Sequence, residues 1–147
     1  MNETAINNKS IQEIENELIE DFSTFDNWTD KYEYIIDLGK NLPLIDPKYK
    51  IDEYKVTGCQ SQVWLRPEFK DGRVYYFADS DAIITKGLIA LLIKVLSGQK
   101  PEDVVNSDMA FIDKIGMREH LSPTRSNGLV SMISYMKNYA KSFLNKN

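Results

Sequence analysis

Apolar positions return every three or four residues in the first part of the chain. Ile11, Ile14, Leu18 and Phe22 make one such set; Trp28, Tyr32, Ile35 and Ile36 make the next. That spacing is one face of an α-helix. Ser10 with Glu13 forms a capping-box pattern ahead of the first helix. The second helix is expected over residues 28–38, with Gly39 as its left-handed cap. Pro43 and Pro47 interrupt any regular element, so residues 41–51 read as a connecting loop.

The period then changes from helical to alternating. Residues 54–56 suit a short strand, broken by Gly58. Val63, Leu65, Pro67 and Phe69 alternate along a second strand, and residues 73–78 return as a third, rich in aromatic side chains. Asp71-Gly72 between them signals a tight hairpin. Pro67 cannot donate to a ladder, so its N–H side should face solvent or a bulge.

Helical spacing resumes after the hairpin. Ile84, Leu88, Leu91, Leu92 and Val95 form an apolar stripe on a long helix, expected to be capped by Ser80 or Asp81 and closed at Gly98. Pro101 opens a short helix, with Glu102 and Asp103 well placed for its dipole. Residues 108–115 form another, closed by Gly116. Ser122 and Pro123 start the last helix as N-cap and first residue, and Leu129, Met132, Ile133, Met136, Ala140 and Phe143 line its inner face. The predicted order is ααβββααα, an α+β fold with a small antiparallel sheet of about three strands flanked by helices.

Composition narrows the classes. A chain of 147 residues, 42% hydrophobic, reads as one domain with a real core, its first nine residues polar and frayed. Eighteen basic against 22 acidic residues give a net charge of −4, which argues against a nucleic-acid partner. The longest apolar run, residues 88–93, is far short of the ~20 residues a membrane helix needs. The start lacks a signal-peptide pattern, so a cytoplasmic location is expected. One cysteine and one histidine can build neither an internal disulfide nor a structural zinc site, so no metal and no cofactor are expected.

The single thiol, Cys59, stands in Thr57-Gly58-Cys59-Gln60-Ser61-Gln62 between two strand-like segments. Free cysteines are commonly inert packing. A cysteine after glycine in a polar turn is a different context: Gly58 allows tight backbone curvature, and successive amide groups in such a turn can stabilise a thiolate. Both readings stay open on the residues alone. His120 is either a base for Cys59 or a structural hydrogen-bonder before a helix cap.

The segment Val56-Thr57-Gly58-Cys59-Gln60-Ser61-Gln62-Val63-Trp64-Leu65 closely resembles the signature of the SufE family, the sulfur acceptors of cysteine desulfurases. Three further segments agree in order: Asp79-Ser80-Asp81-Ala82 with Lys86-Gly87-Leu88-Ile89-Ala90, then His120-Leu121-Ser122-Pro123, then Arg125-Ser126-Asn127-Gly128-Leu129. Thr57 stands where the family usually has proline, and Tyr54 where asparagine is common. The resemblance covers roughly residues 22–143 and implies the fold shared by SufE and IscU-type scaffolds.

It also implies a thiol relay. Cys59 would accept sulfur from a persulfide on a SufS-type, pyridoxal-phosphate-dependent cysteine desulfurase and stimulate that enzyme. It would then pass the sulfur to an iron–sulfur scaffold complex of SufBCD type, with no cofactor of its own. Gly58, Gln60, Ser61, Arg125 and His120 would form the supporting loop or thiolate environment, with Arg125 stabilising the thiolate or holding the loop. The family is known for homodimers and for sheltering the persulfide in an apolar pocket, which suggests a largely buried Cys59 on a loop that turns outward. Against this stand three alternatives: a cluster scaffold, a cysteine hydrolase using Cys59 and His120, and a binding module with an inert thiol. A cluster scaffold needs several thiolate-type ligands, more than this chain offers.

Overall fold

The computed structural model describes residues 9–146. The expected frayed segment lies outside them apart from Lys9, which pairs with Glu17 at 2.6 Å. Helix α1 spans Ile11–Ser23 and opens with the predicted capping box, Ser10 and Glu13 each bonding the other's backbone N–H. Helix α2 spans Trp28–Lys40. Strands β1 (Val63–Lys70) and β2 (Arg73–Ser80) form an antiparallel hairpin, followed by α3 (Ile83–Leu96), α4 (Pro101–Asn106), α5 (Phe111–Lys114) and α6 (Pro123–Ser142). Asp71 and Gly72 turn the hairpin with φ of 53° and 78°, the doubly positive pair such a turn requires.

The architecture is α+β, but among the described residues the sheet has two strands rather than about three. Residues 52–54 wind into a 3₁₀ turn, and Thr57-Gly58 turns again, so only a single bridge from Lys55 to Trp64 remains of the first expected strand. Similar bridges from Leu44 to Ala78 and from Gln99 to Val74 run along β2. Its edge groups are thereby partnered without a full neighbouring strand: Ala78 N–H donates to Pro43 O at 3.0 Å, and Val74 N–H to Gln99 O at 3.0 Å.

Two helix ends differ from the sequence reading. Gly39 lies inside α2 rather than capping it. A Cβ there would sit 3.0 Å from the Gly87 amide nitrogen, and one on Gly87 would sit 2.4 Å from the Ile35 carbonyl oxygen. The glycines let α2 and α3 cross backbone to backbone. The start of α3 is also displaced, because Ser80 completes β2 and the N-cap is Ala82, with no side-chain cap bond.

Helix α3 is the centre of the molecule, with ten of its 14 residues buried. A helix that is apolar on nearly every side must be covered on nearly every side. It packs against α1, α2, α6 and β2. Tyr76 from β2 crosses this core to donate its hydroxyl hydrogen to Met136 O at 2.6 Å, and burial raises its pKa. The opposite face of the hairpin carries a second, smaller cluster of Ile45, Tyr75 and Phe77, packed by Tyr49, Tyr54 and Trp64. The aromatic run is thus sheet packing.

Glu15 is a charged residue buried within this frame, 4% exposed, and its Oε2 has no hydrogen-bond partner. Burial, and then the charge of Asp108, raises its pKa against the pull of Lys114. A carboxyl that is harder to ionise when folded lowers stability as pH climbs past the ordinary carboxylate range, since the unfolded chain ionises first. Glu15→Gln should therefore raise the urea midpoint at about pH 7, with the gain shrinking towards about pH 4. A midpoint shift independent of pH would refute the assignment. Gly87→Ala should cost about 3 kcal/mol in chemical denaturation, the upper range for overpacking, because the clash is with fixed backbone.

Candidate functional site

Cys59 sits at the tip of a loop closed by a backbone bond from Val56 N–H to Val63 O at 2.8 Å. Gly58 takes φ of +91°, a left-handed conformation that a side chain would strain, and a Cβ there would lie 2.8 Å from Ser131 Oγ. The far end of the loop is fixed to the start of α3. Gln62 N–H donates to Asp81 Oδ1 at 3.0 Å, and Asp81 N–H to Gln62 O at 3.3 Å. Asp81 thus serves the loop rather than capping the helix.

The loop lies on α6. Ser131 donates to the Thr57 carbonyl. Tyr135 reaches the same residue, with its hydroxyl 2.8 Å from Thr57 Oγ1 and accepting from Thr57 N–H at 3.3 Å. The Cys59 thiol donates to Gly128 O at 3.7 Å. A Cβ on Gly128 would lie 3.2 Å from the sulfur, so glycine at this position is what admits it. Gly128, Ser131 and Tyr135 are spaced three and four residues apart, on one stripe of the helix. Sequence reasoning did not find Ser131 or Tyr135, although that stripe is the interruption in the apolar pattern of α6 that marks them.

Beside the sulfur is a cavity of about 210 Å³, lined by Gln60, Ser61, Thr85, Leu88, Ser122, Thr124, Arg125, Gly128 and Met132 together with Cys59. Cys59 is half-buried, and burial raises its thiol pKa. The lining is mostly polar, where the resemblance suggested an apolar shelter. Arg125 lies in the first turn of α6, where Ser122 caps the helix by accepting from Arg125 N–H at 3.2 Å. Its guanidinium has no hydrogen bond or ion pair among the described residues. A free cation and the positive end of a 20-residue helix therefore face the cavity that contains the sulfur.

The structure brings Gln60, Ser61 and Arg125 to this cavity and puts Gly58 in the loop behind it. His120 is not among the lining residues. Its ring stacks on Trp28 with centroids 4.1 Å apart, Nδ1 lies 3.0 Å from Gly116 O, and its carbonyl accepts from the Tyr32 hydroxyl. Asp79 is also occupied elsewhere. Burial opposes its ionisation, but hydrogen bonds from Lys50 and from the Ser80 amide, with the charges of Lys50 and Lys86, hold its pKa below the usual value. Among the described residues no group of three His, Cys, Asp or Glu side chains is arranged to hold a metal ion. No helix among them is long and apolar enough to cross a membrane.

The chain is 40% identical over 130 residues to an uncharacterised SufE-like protein of Rhizobium meliloti (strain 1021), covering 85% of this chain and 93% of that one. It is 42% identical over 125 residues to SufE-like protein 1, chloroplastic/mitochondrial, of Arabidopsis thaliana, covering 84% of this chain but 34% of that longer protein. The fold matches the solution structure of a hypothetical protein from Thermus thermophilus with a TM-score of 0.76 and 19% identity, over 90% of this chain and 97% of that one. Residues 16–140 match the SufE family model, described as an Fe-S metabolism associated domain, and the chain belongs to the SufE family.

Proposed function

We propose that the protein is a sulfur relay that carries a persulfide on Cys59. The observation that carries this reading is the placement of the chain's one cysteine, half-buried and opening onto a cavity with room for another sulfur atom. The donor is a persulfide on a cysteine of a SufS-type desulfurase. The Cys59 thiolate attacks its outer sulfur, the S–S bond of the donor breaks, and the donor's inner sulfur leaves as a thiolate. Cys59 then carries –S–SH, which loses its proton. The exchange follows the same rules as thiol–disulfide exchange and consumes no oxidant or reductant. A second thiolate, on an iron–sulfur scaffold of SufBCD type, then takes the outer sulfur in the same manner.

Local chemistry supports the separate steps. At rest the thiol is kept protonated by burial and by the Gly128 carbonyl that accepts its hydrogen. Approach of the desulfurase would supply the field that releases the proton, and Arg125 is an unpaired charge lining the same cavity. Besides the packing of Cys59 against the core, the loop is held on α6 by hydrogen bonds involving Ser131, Tyr135 and Cys59. They can exchange for water at small net cost when the loop turns outward to meet the donor. A scaffold role fits less well, given the single thiol and the lack of a metal-ligand cluster among the described residues. A hydrolase role lacks its base, since His120 is engaged by Trp28 and Gly116.

Incubation with a cysteine desulfurase and L-cysteine should add the mass of one sulfur atom to the intact protein. Cys59→Ser should fold, bind the desulfurase and gain no sulfur. An unmodified wild-type mass under turnover conditions would exclude the relay. Arg125→Ala should slow loading about fivefold, the effect of one exposed charge interaction of about 1 kcal/mol. Measurement of the loading rate by quenched mass spectrometry checks it; an unchanged rate would remove Arg125 from the site.

A further inference from the structure

Thr85 is the buried polar residue of α3, 7% exposed on a helix whose other buried positions are apolar or glycine. A threonine inside a helix commonly bonds its hydroxyl to the carbonyl one turn earlier. Here, among the described residues, the Thr85 hydroxyl has no hydrogen-bond partner. The hydroxyl is not one of the sealed, unpartnered buried atoms, so it opens onto the cavity and is free to bond a group placed there. The side chain lines the Cys59 cavity, on the α3 wall with Leu88 and opposite the α6 wall of Arg125, Gly128 and Met132.

We propose that Thr85 donates the hydrogen bond that receives the outer sulfur of the Cys59 persulfide and holds it as the –S–S⁻ anion. The inference deepens the relay reading and rests on it. Persulfide formation extends Cys59 by one S–S bond of about 2.05 Å. On the α6 side the sulfur already meets the Gly128 carbonyl oxygen, an acceptor that repels an anion. The outer sulfur therefore turns away from that carbonyl, into the cavity and towards α3. Thr85 is the nine-tenths-buried donor among the lining residues, and a hydrogen bond to an anion is stronger in a largely buried site than in open water.

The charged groups around it are otherwise accounted for. Arg125 is exposed at the cavity mouth, Lys86 next to Thr85 is paired with Asp79 at 3.5 Å, and Asp81 accepts from the Gln62 amide. Loading itself releases the donor's thiolate. The proton then lost from –S–SH goes to solvent, and the Thr85 hydroxyl keeps its own hydrogen while donating it to the anion.

The test compares wild type, Thr85→Val and Thr85→Ser, each loaded on Cys59 by two routes. One route is a desulfurase with L-cysteine; the other is inorganic polysulfide, in which the thiolate attacks one sulfur and releases a shorter polysulfide. The rate of persulfide alkylation against pH is followed by intact mass. Thr85→Val should fold as well as wild type, since no internal hydrogen bond is lost. Its alkylation midpoint should rise by about one pH unit, a tenfold change in proton affinity expected for one hydrogen bond to an anion. Thr85→Ser should restore the wild-type midpoint. Identical midpoints for wild type and Thr85→Val, by whichever route loads, overturn the role of Thr85. Loading by polysulfide alone, with the shifted midpoint, upholds Thr85 and defeats the relay from the desulfurase.

Discussion

The backbone-to-backbone crossing of α2 and α3 at Gly39 and Gly87 sets how deeply α3 can sit, and much else follows from that depth. A central helix without a polar face must be walled in by its neighbours, so α1, α2, α6 and β2 are all placed by it. The same helix presents Thr85 and Leu88 to the cavity beside Cys59. One wall of the site is therefore part of the most deeply buried helix among the described residues. A change in helix spacing at the glycines would be felt at the sulfur through α3 itself.

The other wall is of a different kind. The Cys59 loop lies on a polar stripe of α6 and is held by hydroxyl groups and a carbonyl. Deeper apolar packing than that of half-buried Cys59 would have fixed it more firmly, because core contacts have no equivalent in water. Hydrogen bonds do have such an equivalent, and their net contribution is about 1 kcal/mol each. The site thus combines a wall on a deeply buried helix with a loop whose polar attachments are individually weak. That combination suits the proposed relay, in which a sulfur is sheltered at one moment and offered at another.

The helices and the hairpin were legible because their signals are local. The capping box at Ser10, the Asp71-Gly72 turn and the Ser122-Pro123 start each settle a boundary within a few residues. What escaped was decided by partners distant in sequence. Gly39 looks like a helix cap until Gly87 is set against it, and residues 54–56 look like a strand until the neighbouring turns leave too little extended chain. The cysteine was visible as a lone thiol in a polar turn, and its family followed from the segments around it. Thr85, Ser131 and Tyr135 were not visible as site residues. Each is an unremarkable helical position whose relation to Cys59 arises only when α3 and α6 close on the loop.

The Gly128 carbonyl contact has a consequence for life in air. Peroxide oxidises thiolates rather than thiols, and the first product, a sulfenic acid, can proceed to acids that no thiol reverses. A cysteine whose proton is kept by burial and directed at a backbone oxygen exposes little thiolate while idle. In the proposed relay its reactivity is thereby reserved for the encounter with the donor, and the idle thiol is a slower target for peroxide than an open, acidic one.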